Sequence, residues 1–243
     1  MREPLTVAVA QPPCVAHDVA ANARAHAAAI RAPGAAGARV VVFPELSLTG
    51  YELDAAPVDP ADERLRPIIQ ACAATGAIAL AGAPIVDNRK KMGDTSPVFI
   101  GVLAIGGQGV TVAYRKMWLG EEEAQRFTPG PEPRQLTVDG WRLGLAVCKD
   151  IWVDQHAADT AALGIDAYLA GTVSFDHEAG SQQEQARGIA AQHRVWVAVA
   201  SFAGPAGGGY RQTAGRSGIW APDGTLVSET GAQPGQVRSA RLS

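Results

Sequence analysis

The sequence predicts an α/β fold. Three observations carry this reading: short, nearly unbroken apolar runs, capped stretches of helical character between them, and paired strands around glycine-rich turns. The first run, Leu5-Thr6-Val7-Ala8-Val9-Ala10, reads as a strand closed by Pro12-Pro13. Asp18 is placed to cap a helix through the alanine-rich stretch to Arg31, with Pro33-Gly34 ending it. Arg39 to Phe43 is a second apolar strand, of the kind found in a sheet covered by other layers, and Pro44 stops it. A helix over Asp62 to Ala74, with Gly76 past its end, leads to a third strand, Ile78 to Gly82.

The middle of the chain reads as a hairpin, Pro97 to Ile105 and Val110 to Tyr114, joined around Gly106-Gly107-Gln108-Gly109. Leu143 to Val147 is another buried strand and ends at Cys148. Then follow a helix near Asp154 to Leu163, a strand Asp166 to Ala170, a helix Gln182 to Arg194, and a strand Val195 to Ala200. The last pair is Ser217 to Ala221 and Thr225 to Ser228 around Pro222-Asp223-Gly224. Strand–helix units mixed with hairpins imply a mixed sheet, or two sheets packed together with helices outside. No repeat or linker divides residues 1–243, so one domain is expected, with Gly204 to Gly209 as a mobile loop.

Composition narrows the function. Of 243 residues, 47% are hydrophobic and 19% charged, as in a globular protein rather than a disordered one. The net charge of -3, without a basic run, argues against a nucleic-acid partner. No apolar run is long enough for a bilayer, and the N-terminus lacks the pattern of a secretory signal. Cys14, Cys72 and Cys148 are odd in number, far apart and without metal-ligand spacing, so a reducing cytoplasm is expected; no ligand cluster suggests a metal or organic cofactor, and none is expected.

Three polar residues stand where apolar strands stop, the place where α/β folds gather their sites. Glu45 follows Val41-Val42-Phe43-Pro44. It reads either as a partly desolvated general base or as a solvated loop residue. Lys116 ends Val112 to Arg115, either as an oxyanion partner or as a lysine guarding a sheet edge. Cys148 ends Leu145-Ala146-Val147 before a helix-forming stretch, either as a nucleophile on a sharp elbow or as a small buried hydrophobe. None of the five histidines is placed as a base for Cys148, which leaves the Glu45 carboxylate as the candidate.

Together these segments resemble the nitrilase superfamily, the carbon–nitrogen hydrolases. Val9-Ala10-Gln11 resembles its opening strand, Phe43-Pro44-Glu45-Leu46 through Gly50-Tyr51 its first motif, and Tyr114-Arg115-Lys116 its second. Cys148-Lys149-Asp150-Ile151-Trp152 resembles the third, and Gly215 to Gly224 a late strand–turn segment. The resemblance runs from about Leu5 to Glu229. It implies a four-layer α-β-β-α sandwich, a homodimer paired through an outer helical layer, and a Glu45–Lys116–Cys148 triad. It also implies a second glutamate seven residues after the lysine. That is Glu123, although Glu121 and Glu122 adjoin it.

The activity implied is hydrolysis of a small amide through a cysteine thioester, with the N–H of Lys149 helping Lys116 to hold the oxyanion. A nitrile or N-carbamoyl substrate is the alternative within enzymes, and a non-catalytic metabolite-binding relative the alternative outside them. Tyr51, Lys149, Trp152, Thr172, Ser174 and Phe175 are the candidate substrate contacts. The chain departs from the family pattern at Asp154-Gln155, Gln192 and Ser201, which leaves the substrate open.

Overall fold

The structure is a computed structural model and describes residues 2–86 and 96–243. Its strands form two six-stranded sheets. The first contains β1 (Leu5–Gln11), β2 (Val40–Val42), β3 (Ile78–Val86), β4 (Val98–Gly106), β5 (Gly109–Arg115) and β14 (Gln236–Leu242), in the order β14-β1-β2-β3-β4-β5. The second contains β6 (Gln135–Val138), β7 (Trp141–Val147), β8 (Ala167–Thr172), β9 (Trp196–Ser201), β12 (Gly218–Trp220) and β13 (Leu226–Glu229), in the order β13-β12-β9-β8-β7-β6. In each sheet three adjacent strands are parallel, β1-β2-β3 and β7-β8-β9, and the outer strands pair antiparallel. A two-stranded pair, β10 (Ala203–Gly204) and β11 (Thr213–Ala214), closes the connection after β9.

The near-continuous apolar runs are explained by a core on each face of each sheet. Val7 and Val9 of β1, Val40 and Val42 of β2, Leu143, Leu145 and Val147 of β7, and Leu169 of β8 pack into one cluster between the sheets. The alternate residues Ala8, Ala10 and Val41 face α1 (Val19–Ala35) and α2 (Arg66–Thr75). Ala146, Tyr168, Ala170, Val197 and Val199 face α4 (Asp154–Ala162) and α5 (Ala179–His193). Because strand side chains alternate with a period of two, a strand covered on both faces must be apolar at nearly every position. The architecture is therefore the α-β-β-α sandwich that the resemblance implied.

Element boundaries differ from the sequence reading where local rules meet tertiary ones. Asp18 does cap α1, its carboxylate accepting the Ala21 N–H at 2.9 Å. The helix nevertheless runs past Arg31 to Ala35 with Pro33 inside it. A proline in a final turn removes one N–H, while Ala36 N still reaches Ala32 O and Ala38 N reaches Pro33 O. The expected helix from Asp62 begins as a 3-10 turn, Glu63–Leu65, before α2, and Gly76 closes α2 in the left-handed region. α5 starts three residues earlier than expected, at Ala179. The three adjacent glutamates open a one-turn helix, α3 (Glu121–Ala124), in which Glu123 is the buried one. β6 and β14 escaped the sequence reading: both lie on or beside sheet edges, and few of their residues are buried.

Candidate active site

The site forms where the parallel strands of both sheets end. Glu45 follows β2, and the backbone around it is held between the sheets. A Cβ on Gly171 of β8 would lie 2.5 Å from Phe43 O and 3.0 Å from Glu45 N. A Cβ on Gly82 of β3 would lie 2.7 Å from Pro44 O. Only glycine lets the two strands approach the Glu45 segment this closely. Leu46 and Tyr51, on either side of the following turn, adopt positive φ angles of 48° and 63°.

Glu45, Lys116 and Glu123 are all buried, and they form one unit. Lys116 Nζ donates to Glu45 Oε1 at 2.7 Å and to both carboxylate oxygens of Glu123 at 2.7 Å. Glu123 also accepts the Gly120 N–H at 2.7 Å and the Tyr51 hydroxyl at 3.1 Å. Glu123 is thus fully engaged. Glu45 is not: its Oε2 is buried without a well-formed hydrogen bond, and the Cys148 thiol lies close enough to help hold the carboxylate's charge.

Cys148 sits on a sharp elbow. It follows β7, opens a 3-10 turn (Cys148–Trp152), and has φ 43°. A non-glycine residue there costs about 1–2 kcal/mol of backbone strain. The elbow is held by Asp150, whose Oδ2 accepts the Val147 N–H at 2.9 Å and whose Oδ1 accepts the Trp118 N–H at 2.9 Å. The thiol, half-buried, donates to Val173 O at 3.3 Å. The N–H groups of Cys148 and Lys149 stand in the first turn, where a helix has no partners of its own for them.

The electrostatics follow from one cation among several acidic groups. Burial raises the Glu45 carboxyl to about 8, Glu123 adds to the shift, and Lys116 opposes it. For Lys116, burial favours the neutral amine, but Glu45, Cys148 and Glu123 more than offset it, and the ammonium is held well above its usual range. Burial and the charge of Glu45 push the Cys148 thiol far up, with Lys116 opposing. The resting thiol is therefore protonated, and attack by the sulfur requires a base that takes its proton at that moment. Burial also raises Cys14 to about 12 and Cys72 to about 11, and neither has a cation working against it.

A cavity of about 310 Å³ opens onto this unit. Tyr51, Lys116, Glu123 and Cys148 line it, together with Lys149, Phe175 and Tyr210. Three expected substrate contacts do not line it. Thr172 and Ser174 turn to α5, where both hydroxyls bond Gln182 Oε1, at 3.0 and 2.9 Å. Trp152 is 43% exposed and stands outside the lining. Tyr210 was missed: it stands just beyond the glycine-rich loop, against Phe175 and Tyr51. That loop is tied to the site by Gly207 N–H to Gly50 O at 2.9 Å. A larger cavity, about 620 Å³, lies by the β4–β5 turn at the opposite end of the first sheet, and Cys72 is its only thiol. Among the described residues one group could share a metal ion, His17, Glu52 and Asp54; His17 and Asp54 are exposed and already bonded to each other at 2.8 Å.

Such a strand-end Glu–Lys–Cys unit in this sandwich defines a class, and comparison with known proteins names it. The model of the carbon-nitrogen hydrolase family matches residues 6–243, and the chain belongs to that family. A Pseudomonas protegens protein called "Hydrolase in pqqF 5'region" is 29% identical over 239 residues, covering 93% of this chain and 79% of that protein. The glutamine-dependent NAD(+) synthetase of Rhodobacter capsulatus is 30% identical over 172 residues, 62% of this chain, and the match spans only 28% of that enzyme. In fold the chain is similar to Saccharomyces cerevisiae Nit3, of the nitrilase superfamily, with a TM-score of 0.85 at 20% identity, over 99% of this chain and 90% of that one. It is also similar to an amidase of the same superfamily from Nesterenkonia, with a TM-score of 0.84 at 22% identity, over 100% and 92% of the two chains.

Proposed function

We propose that this chain hydrolyses a small carboxamide through a thioester on Cys148, releasing ammonia or an amine and a carboxylic acid. The observation that carries the reading is the single Lys116 ammonium shared by two carboxylates beside a thiol at the mouth of a small cavity. Glu123, saturated by four donated hydrogen bonds, holds the ammonium in place. Glu45, with one oxygen free, is the base.

As sulfur attacks the carbonyl carbon, the thiol proton passes to Glu45, and the C=O electron pair moves onto oxygen. Lys116 and the N–H of Lys149 stabilise that oxyanion; a well-placed donor of this kind contributes about 10²–10³ in rate. The oxyanion collapses, the C–N bond breaks, and Glu45 returns its proton to the departing nitrogen. Water then enters, gives a proton to Glu45, and attacks the thioester. The C–S bond breaks, the acid leaves, and Glu45 reprotonates the thiolate. The Nesterenkonia amidase is described with acrylamide added at its active-site cysteine, and with the acetamide moiety of fluoroacetamide there, which is in keeping with small ligands at such a sulfur.

A panel of small amides, nitriles and ureido acids, assayed for ammonia release, tests the reading and separates the alternatives. Amides are expected to be turned over, and Cys148→Ala is expected to abolish turnover. Equal ammonia release by Cys148→Ala would contradict the mechanism.

A further inference from the structure

Among the described residues, the charges around the cavity are unbalanced. Its walls carry the carboxylates of Glu121, Glu122 and Glu123 against the ammoniums of Lys116 and Lys149. Glu123 is neutralised by Lys116. The Lys149 ammonium is anchored, its Nζ donating to Leu119 O at 2.7 Å. Glu121 and Glu122, at the start of α3, are exposed, and among the described residues their side chains make no ion pair or hydrogen bond. With Glu45 neutral, carboxylates already outnumber ammoniums by three to two; with Glu45 ionised the excess is larger. Among the described residues, the lining includes no arginine to pair with a substrate carboxylate in bidentate fashion.

The second feature is aromatic. Tyr210 stacks on Phe175 with ring centroids 4.3 Å apart and meets Tyr51 edge-on at 5.4 Å, and all three rings line the cavity. Aromatic faces in one cavity with carboxylates that have no partner among the described residues make an environment that attracts an ammonium and repels a carboxylate. Burial raises the Tyr210 hydroxyl to about 12, with Cys148 and Glu45 adding to the shift, so the ring stays neutral and contributes no opposing charge.

We propose that the cavity selects amides that carry an ammonium a few bonds from the reacting carbonyl, and discriminates against amides that carry a carboxylate there. The proposal deepens the amidase reading and rests on it for turnover, but not for binding. It places Glu121 and Glu122 as specificity residues at the rim, apart from the chemistry at Cys148.

Three amides of matched length test it: 4-aminobutanamide, pentanamide and glutaramate. The expected order of kcat/KM is cationic, neutral, anionic, each step about tenfold, as for a charge facing partly screened opposite charges. In Glu121→Gln/Glu122→Gln the cationic-to-anionic ratio is expected to contract at least tenfold. Protection of Cys148 from iodoacetamide by the same three compounds reads binding without turnover and should follow the same order. Glutaramate matching or exceeding pentanamide in both measurements would overturn the proposal, as would a ratio unmoved in the double variant. If protection follows charge but no amide is hydrolysed, the charge selection stands and the amidase reading falls.

Discussion

The hydroxyl of Tyr114 donates to Asp150 Oδ2 across 2.8 Å, and this bond joins the strand that leads into Lys116 to the elbow that carries Cys148. Asp150 also accepts N–H groups from Val147 and Trp118. Behind it, His156 bonds the Tyr114 hydroxyl at 2.9 Å and the Tyr168 hydroxyl at 2.8 Å. All four side chains are buried, so a lost partner here leaves another polar group unsatisfied.

Tyr114→Phe cuts the link between the segments that carry Lys116 and Cys148, whereas Tyr168→Phe cuts only the outer end of the chain. Each is expected to destabilise by about 1–3 kcal/mol. Only Tyr114→Phe is expected to lower kcat, by about tenfold, with KM little changed. Thermal melts and steady-state kinetics of the two variants check this, and equal kcat losses would reduce the network to a purely structural role.

In the proposed mechanism the Glu45 carboxyl, raised to about 8 by burial, must be ionised to accept the thiol proton. The acid limb of kcat/KM should therefore fall as pH drops below about 8, several units above the limb that an ordinary carboxylate with a value of 4.5 would give. A pH–rate profile of the wild type decides it, and a limb near 4.5 would contradict this account of the base.

The same shift predicts a stability effect of opposite sense. A carboxyl whose folded value exceeds its unfolded value favours the folded state at low pH, and that contribution is lost as pH rises through the folded value. For Glu45 the window runs from 4.5 to about 8. Glu45→Gln removes the titration and leaves Lys116 paired with Glu123. Denaturant melts at pH 5 and pH 8 should show a smaller loss of stability in Glu45→Gln than in wild type across that interval, while activity disappears. A steeper loss in the variant would mean that the Lys116–Glu45 pair is net stabilising as an ion pair.

Gly171 places β8 directly against Phe43 O and the Glu45 amide. Gly171→Ala forces the Glu45 backbone to move, because the Cβ would sit 2.5 Å from a carbonyl oxygen. A misplacement near 1 Å can cost about 10² in rate. The expected result is a folded protein with kcat reduced by that order and a shifted pH profile. Full activity would show that the Glu45 segment has slack.

The grouping of Glu45, Lys116 and Cys148 was legible in the sequence through the motifs that resemble the nitrilase superfamily; the strand end before each residue placed it, but alone left a solvated, edge or packed residue equally open. The pocket walls were not legible. Thr172 and Ser174 share a parity that faces α5, and between them Val173 accepts the Cys148 thiol at its carbonyl oxygen. Proximity to a strand end does not reveal that parity without knowing which face each layer covers. Tyr210 lies beyond a glycine-rich turn, where neither period nor propensity indicates direction. Asp150 was visible as part of a motif, but its partners come from β5, the Trp118 segment and α4, which only the tertiary fold brings together.

The central claim is that Cys148 becomes acylated during turnover. Intact-protein mass spectrometry after acid quench of the enzyme mixed with a turned-over amide tests it most directly. The expected result is an added mass equal to the acyl group, located on the peptide containing Cys148 and absent from Cys148→Ala. Turnover with no adduct under single-turnover conditions, retained by Cys148→Ala, would contradict it.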